Sequence, residues 1–517
     1  MESFRIFLGV VVWTGELLSD ATCFLVKHCM VLTVAVAVVG ANSGCGGGYG
    51  NSSGSPGNSG LTASITNPIT TLQAGATYAF QATTPSSNGY AAGISWSISP
   101  SSGAGTLSNS MNNGFSSSVM YQAPTTPPSP NSVTISATPS DNHVGPSKDT
   151  FTIMASPMAM LEGPFAIEFS GFASTGETVG VIGSITADGG GNITGGSIDV
   201  NRNRAPSVRI GGVTGTYALD SKLRGSMSLT AASGFDHPLV VSFALASDRK
   251  SGRIADFTPD GLVVSGQLLR QDRTAFSLAK ILSDFVFKLE APSSDRVATV
   301  GKVSIGRNSI LSGIADESKS GDGLVFSAAP IAGSLTAVPD ENGRGTFILG
   351  TLAETSRFVF YVVTDSCLLF LETDSGVGAL RTRQLGVAQR QRLPFSPATA
   401  NASGRMSASG FDAQASSFGI VSVVGSLEIQ NLSHATLSWD AMSARAVVSI
   451  DSLRSDTVTF NPSTGRGTIE IANGFVNNFA DSVAFYLANP GTGFFLDRTS
   501  GRFNRAIVGD LEAIGAE

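Results

Sequence analysis

Between residues 61 and 513 apolar side chains recur at every second position in short runs, and the runs are broken by clusters of Gly, Asn, Asp, Ser and Pro. Period two is the signature of a strand with one buried face; an amphipathic helix would repeat every three or four residues. The first such runs are 71–83, 93–99, 118–124, 132–138 and 149–153. Short alternating strands at this spacing, separated by turn residues, predict a β-sandwich over 61–155.

Beyond residue 160 the pattern repeats with a period of about 120 residues. One mark is a small-residue turn leading into a strand: Leu223-Arg224-Gly225-Ser226-Met227, Gly343-Arg344-Gly345-Thr346-Phe347 and Gly465-Arg466-Gly467-Thr468-Ile469. A second pairs Phe165–Phe169 with Phe285–Leu289, and a third is Val241–Phe243, Val359–Tyr361 and Ala484–Tyr486. Three marks in one order predict three copies of one β unit, at 160–275, 280–390 and 400–517. Each copy reads as seven or eight antiparallel strands with short connections, which suits a small barrel or a sandwich. The expected fold class is all-β: an immunoglobulin-like sandwich, then three related antiparallel units. In the first copy, 179–186 and 193–200 flank Asp188-Gly189-Gly190-Gly191-Asn192, a hairpin with a glycine-rich tip. The other copies carry Val300–Ile310 and Phe418–Gln430 there, which reads as loss of that hairpin.

The N-terminus gives an address. Residues 29–41 form an apolar run of 13, short for a membrane span but suited to a signal-peptide core. Lys27 and His28 precede it, and Asn42-Ser43-Gly44-Cys45 follows. Ser43, Gly44 and Cys45 resemble the lipobox of bacterial lipoproteins, in which the cysteine takes lipid and becomes the mature N-terminus; Asn42 stands where that motif usually carries an apolar residue. The resemblance makes Cys45 the expected lipidation site and 1–45 a leader, with a start codon misassigned upstream as one way to explain 1–28. The Gly/Ser-rich stretch 46–60 reads as a flexible tether. An ordinary cleaved signal and an uncleaved anchor are the other readings.

Gln73-Ala74-Gly75, Ile94-Ser95-Trp96, Tyr121-Gln122-Ala123-Pro124 and Val133–Ala137 resemble bacterial immunoglobulin-like domains, with Trp96 as the core tryptophan. Gly183 to Gly196 is similar to a motif of multi-repeat exported proteins of soil bacteria, a resemblance that implies architecture and export without an assigned activity.

Composition narrows the chemistry. Net charge is −7 and the 32 Lys and Arg are scattered, so no cationic stripe for nucleic acid is expected. Of four cysteines only Cys367 lies beyond residue 45, which leaves no partner for a disulfide within the β region and casts Cys367 as a small buried apolar residue. His143, His237 and His434 fall in different units, and no phosphate loop or nucleophile elbow is present. Asp188, Asn192 and Asp199 only superficially suggest calcium, and turn chemistry explains the first two. Arg224, Arg344 and Arg466 read as solvated turn arginines, with a shared anionic ligand as the sharper alternative. No catalytic, cofactor-binding or metal-ligating set is expected. The expected function is that of a non-catalytic exported cell-envelope or surface protein, presenting β modules for adhesion or for binding a polymer, glycan or envelope protein. The alternative is a secreted polysaccharide hydrolase whose carboxylates converge only in three dimensions. A membrane-spanning barrel fits less well, because aromatics are 8% and the C-terminal residues form no aromatic strand.

Overall fold

The computed structural model describes residues 61–513, apart from 86–92, 142, 174–175, 203–204, 234–237, 258–262, 292–296, 320–322, 352–354, 374–383, 393–394, 396–402, 413–418, 431–433, 444–446, 456, 471–481 and 499–504. The leader with His28, the tether, Cys45 and His237 lie outside the described residues. The protein is all-β. No helix among the described residues is long and apolar enough to cross a membrane.

Two four-stranded sheets form the first unit. One contains Thr71–Gln73, Ser147–Met154, Ser132–Pro139 and Ile94–Ser99; the other contains Ser64–Ile65, Thr77–Thr83, Ser116–Gln122 and Thr106–Asn113. Phe80 and Tyr121 of one sheet meet Phe151 of the other at ring-centroid distances of 5.5 Å. Trp96 is half-buried, and its indole N–H reaches across to Ser117 Oγ at 2.8 Å.

Three up-and-down antiparallel units follow. The second is a closed barrel of Asp284–Glu290, Val297–Ile305, Ile310–Lys319, Gly323–Ala337, Arg344–Gly350, Thr355–Thr364, Cys367–Glu372 and Leu385–Arg390. In the first, Glu162–Phe172 pairs with both Thr178–Asp188 and Val263–Arg270, and a short pairing of Asn192–Arg202 with Thr214–Leu219 completes the ring. The third has the same strand order from Ser403–Asp412 to Arg505–Ala513, without a described pairing between Val447–Ser455 and Thr457–Asn461. Closure removes the exposed edges that would otherwise recruit other strands. It also resolves barrel against sandwich in favour of the barrel.

The sequence marks have one physical cause. Arg224, Arg344 and Arg466 each open a strand, and the glycine after each faces a phenylalanine of the next strand: Gly225 faces Phe243, Gly345 faces Phe360, Gly467 faces Phe485. The ring lies flat on the glycine, so that a Cβ on Gly345 or Gly467 would stand 2.2 or 2.1 Å from a ring carbon. The residue before each arginine has a left-handed backbone: Leu223 φ 61°, Gly343 φ 74°, Gly465 φ 70°. Leucine at that position carries strain that the two glycines avoid.

One expectation needs correction. The hairpin of the first unit, Thr178–Asp188 with Asn192–Arg202, is retained in the others as Val297–Ile305 with Ile310–Lys319 and Gly419–Gln430 with His434–Ser443. Only the glycine-rich tip is peculiar to the first copy. Strand pairing depends on inward alternation, which survives a change of turn.

Candidate functional site

Two places gather polar chemistry: the joints between barrels and one end of the second barrel.

Each joint is built from the repeat arginine. Arg344 of the second barrel donates from Nε and Nη2 to the two carboxylate oxygens of Asp199 in the first barrel, at 2.7 and 2.8 Å. Tyr361 donates its hydroxyl to the same carboxylate at 2.7 Å. The next joint repeats this: Arg466 of the third barrel donates to Asp316 of the second at 2.8 and 2.7 Å, and Tyr486 donates at 2.7 Å. Ser327 Oγ and the Ala328 N–H complete the shell of Asp316. Both aspartates are buried. Burial opposes ionisation of Asp316, but the Arg466 and Tyr486 donors outweigh it and hold the carboxyl below its ordinary range. Burial and the adjacent Asp316 carboxylate push the Tyr486 phenol well above its usual value. Tyr361 shifts the same way from burial and Asp199.

A glutamine seals each joint. Gln271 donates to the Val362 carbonyl at 2.6 Å, and Gln391 to the Leu487 carbonyl at 2.7 Å. Around these polar groups lies apolar surface. Ala166 and Ile182 pack with Val359, Val363, Leu369 and Leu371 at the first joint; Val286 and Val300 pack with Phe494, Leu496 and Val508 at the second. Lys288 sits at the second joint, 2.6 Å from Asp510. Cys367 is half-buried at the first joint, and burial pushes its thiol up to about 12, which leaves it protonated and unreactive at neutral pH.

The outer ends of the row differ from the joints. The first barrel exposes Ser242, Ala244 and Arg253 at the positions of Val359, Tyr361 and Leu369. The third exposes Arg405 and Asp440 at the positions of Val286 and Asp316. Polar terminal faces of this kind end a repeat array.

These contacts correct the reading of the repeat arginines. Arg224 is the solvated one, paired with Asp220 at 3.4 Å and 66% exposed; Arg344 and Arg466 are only 15% and 16% exposed. Their anion is the aspartate of the preceding barrel. Asp199, weighed above as a downstream calcium ligand, is committed to that contact. Asp188 caps its own turn: Oδ1 accepts from the N–H groups of Gly190 and Asn192, at 2.7 and 2.9 Å. No cluster of three His, Cys, Asp or Glu side chains suited to a metal ion occurs among the described residues. His143 lies on an exposed turn of the sandwich and His434 in a strand of the third barrel.

The second barrel holds a cavity of about 120 Å³ at one end. Phe287, Leu289, Phe326, Leu349 and Phe358 form its apolar wall; Thr299, Glu317, Ser356 and Gln384 supply polar groups. Gln384 donates to Thr299 Oγ1 at 3.0 Å, and Thr299 donates onward to Glu317 Oε2 at 3.2 Å. Behind them, Glu372 accepts from Ser356 Oγ at 2.6 Å and from the Gln384 N–H at 3.0 Å. Burial raises the Glu317 carboxyl to about 7, against the lowering by its Thr299 hydrogen bond. Sequence reasoning passed over Glu317. The signal that could have found it is a comparison of the three copies at that position.

No protein-family model matches this sequence, and a search of curated proteins finds no match. Among solved structures, the chain is similar to a double mutant of transferrin-binding protein B from Haemophilus parasuis at 10% identity, covering 81% of this chain and 85% of that one, with a TM-score of 0.22. Transferrin-binding protein B from Neisseria meningitidis gives 9% identity, 79% and 83% coverage and a TM-score of 0.21. Surface layer protein SbsC, domains 4–9, gives 10%, 80% and 71%, and 0.15. Scores this low establish neither a shared fold nor a shared role.

Proposed function

We propose that this chain is a non-catalytic exported protein of the cell envelope or surface, in which three latched barrels hold β modules out for binding a polymer, glycan or envelope protein. The observation that carries the reading is the Arg–Asp–Tyr contact at both joints. Arg344 and Arg466 with Asp199 and Asp316 are spent on fixing one barrel against the next, which is the chemistry of a spacer or display scaffold. The polar ends of the row fit a unit of fixed length. Cys45, as a lipid-bearing N-terminus followed by a tether, would place that unit at a membrane surface.

The hydrolase alternative meets a size limit. Its best-placed acid is Glu317, in a cavity of about 120 Å³, whereas pockets for even drug-sized ligands run to roughly 300–1,000 Å³. A polysaccharide needs an open cleft with two carboxyl groups across the scissile bond.

The test combines cell fractionation and N-terminal mass spectrometry of the native protein with a glycan and envelope-polymer array. Recovery in the envelope fraction with lipid on Cys45, plus saturable binding to one polymer class, is expected. Recovery in the cytoplasm with an intact leader, or turnover of an arrayed polysaccharide, overturns the reading.

A further inference from the structure

The cavity of the second barrel differs from its sisters in one respect. Register aligns the three units strand by strand, so each inward position has a counterpart. Glu317 pairs across strands with Thr299; the corresponding pair is Val200 with Val181 in the first barrel and Ala441 with Val423 in the third. Ser356, opposite Leu349, corresponds to Leu239, opposite Leu229. Gln384 precedes Leu385, whose counterpart is Ser265, and so corresponds to Val264. Four wall positions that are apolar in the first barrel are polar in the second, and all four line one cavity.

Structural filler does not account for this. The first barrel closes with Val181, Val200, Leu239 and Val264 in its apolar core, and burying polar groups costs free energy that their hydrogen bonds only partly return. Elsewhere in the second barrel the interior is filled: at the other end Val303, Ile305, Leu311, Phe347 and Phe370 leave a crevice of only about 10 Å³. The polar groups are also held in place. Glu372 fixes Ser356 and the Gln384 backbone, and Gln384 and Thr299 aim a hydrogen-bond chain at Glu317. A few anchored polar groups at one side of an apolar cup are the usual construction of a small-ligand site.

We propose that this cavity binds a small organic cation, a primary ammonium on a compact hydrocarbon body, with the ammonium against the Glu317 carboxylate and the body among Phe287, Phe326 and Phe358. Size sets the class: an apolar cavity of about 150 Å³ accepts benzene, so this one takes a body no larger than a single ring or a four-carbon chain. Sign follows from the acceptor. Glu372 and Lys319 are the charged groups acting on Glu317, one raising and one lowering its affinity for a proton. With the carboxyl raised to about 7, an ammonium competes with a proton for the site, and occupancy is coupled to proton release. The inference is independent of whether the surface of the protein binds a polymer.

The experiment is calorimetric titration of the full chain with benzylamine and n-butylamine, using benzyl alcohol and n-butanol as neutral isosteres, at pH 8 and pH 5.5. Saturable amine binding at pH 8 is expected. It should weaken about 30-fold at pH 5.5, because only the ionised fraction of a group titrating near 7 is competent. Glu317→Gln should weaken it at least about tenfold while leaving the alcohols unchanged. An unchanged far-ultraviolet circular dichroism spectrum, together with unchanged alcohol binding, shows that Glu317→Gln is folded. Absence of saturable amine binding at millimolar concentration means that the cavity holds water alone and overturns the proposal. Equal binding of amine and alcohol, or full binding by a folded Glu317→Gln, overturns it as well.

Discussion

Replacing Asp316 with alanine should detach the third barrel from the second. Asp316 is completely buried and receives five hydrogen bonds: two from Arg466, one each from Tyr486 and Ser327, and one from the Ala328 N–H. Its removal leaves the Arg466 guanidinium, 16% exposed, with the Ser327 hydroxyl but no carboxylate, and deprives the fully buried Tyr486 phenol of its Asp316 acceptor. Breaking a buried ion pair from one side costs about 3–5 kcal/mol, most of it the burden of the orphaned charge. Replacing Asp316, Arg466 and Tyr486 together by apolar groups (Asp316→Leu, Arg466→Met, Tyr486→Phe) should cost less than Asp316→Ala alone, because no guanidinium or phenol of the triad is then orphaned, and Arg498, which loses Asp316 at 3.9 Å, keeps Glu470 at 3.5 Å. Three linked barrels need not unfold in one step, so the assay is hydrogen exchange read by mass spectrometry over a urea series, which follows each barrel separately. Protection should fall in Ser482–Asn489 and Thr492–Asp497 and stay unchanged in Leu239–Leu245. A loss below about 0.5 kcal/mol for Asp316→Ala, or an equal loss in the first barrel, would refute this account of the joint.

The other expectations follow from the same contacts. Acid should open the second joint: the Asp316 carboxyl is depressed when folded, so its contribution is complete above the unfolded value of about 3.9 and is lost as pH falls through the folded one; small-angle scattering from pH 6 to 2 should show elongation before the strands melt. Glu317 works in the opposite sense. With its carboxyl raised from 4.5 to about 7, it stabilises most at low pH and loses that contribution as pH climbs across this window, so thermal unfolding of the second barrel should fall from pH 5 to 7, and Glu317→Gln should flatten the slope. Glu317→Val combined with Thr299→Val, which together restore the Val–Val pairing of the first barrel, should leave the barrel folded in urea unfolding and abolish amine binding. Gly345→Ala forces a Cβ against the Phe360 ring and should cost about 1–3 kcal/mol in the same assay.

The fold was legible because its marks are strong local devices. Alternation announced the strands, and an arginine-glycine pair with a phenylalanine one strand later announced the repeat, since only glycine can lie under that ring. The joints were not legible. Asp199 and Asp316 are acids inside ordinary alternating strands, and their arginines lie 145 and 150 residues further along; no local pattern links residues that meet only when one barrel docks on the next. For the same reason Arg344 and Arg466 read as solvated, which is true of Arg224 alone. Ala244 stands in the first copy where Tyr361 and Tyr486 stand in the others, and that difference is intelligible once the first barrel is seen to have no barrel ahead of it. Glu317 was hidden because one inward acid looks like any surface acid until Val200 and Ala441 are set beside it.

The claim that the joints fix three barrels into one stack is tested most directly by pulsed electron-spin distance measurement between labels at Val240 and Val424, exposed positions of the first and third barrels, introduced as cysteines with Cys23, Cys29, Cys45 and Cys367 replaced by serine. A single narrow distance distribution is predicted, broadening when Asp199→Ala and Asp316→Ala are combined. A distribution already broad with both aspartates in place, or unchanged when both are removed, would contradict it.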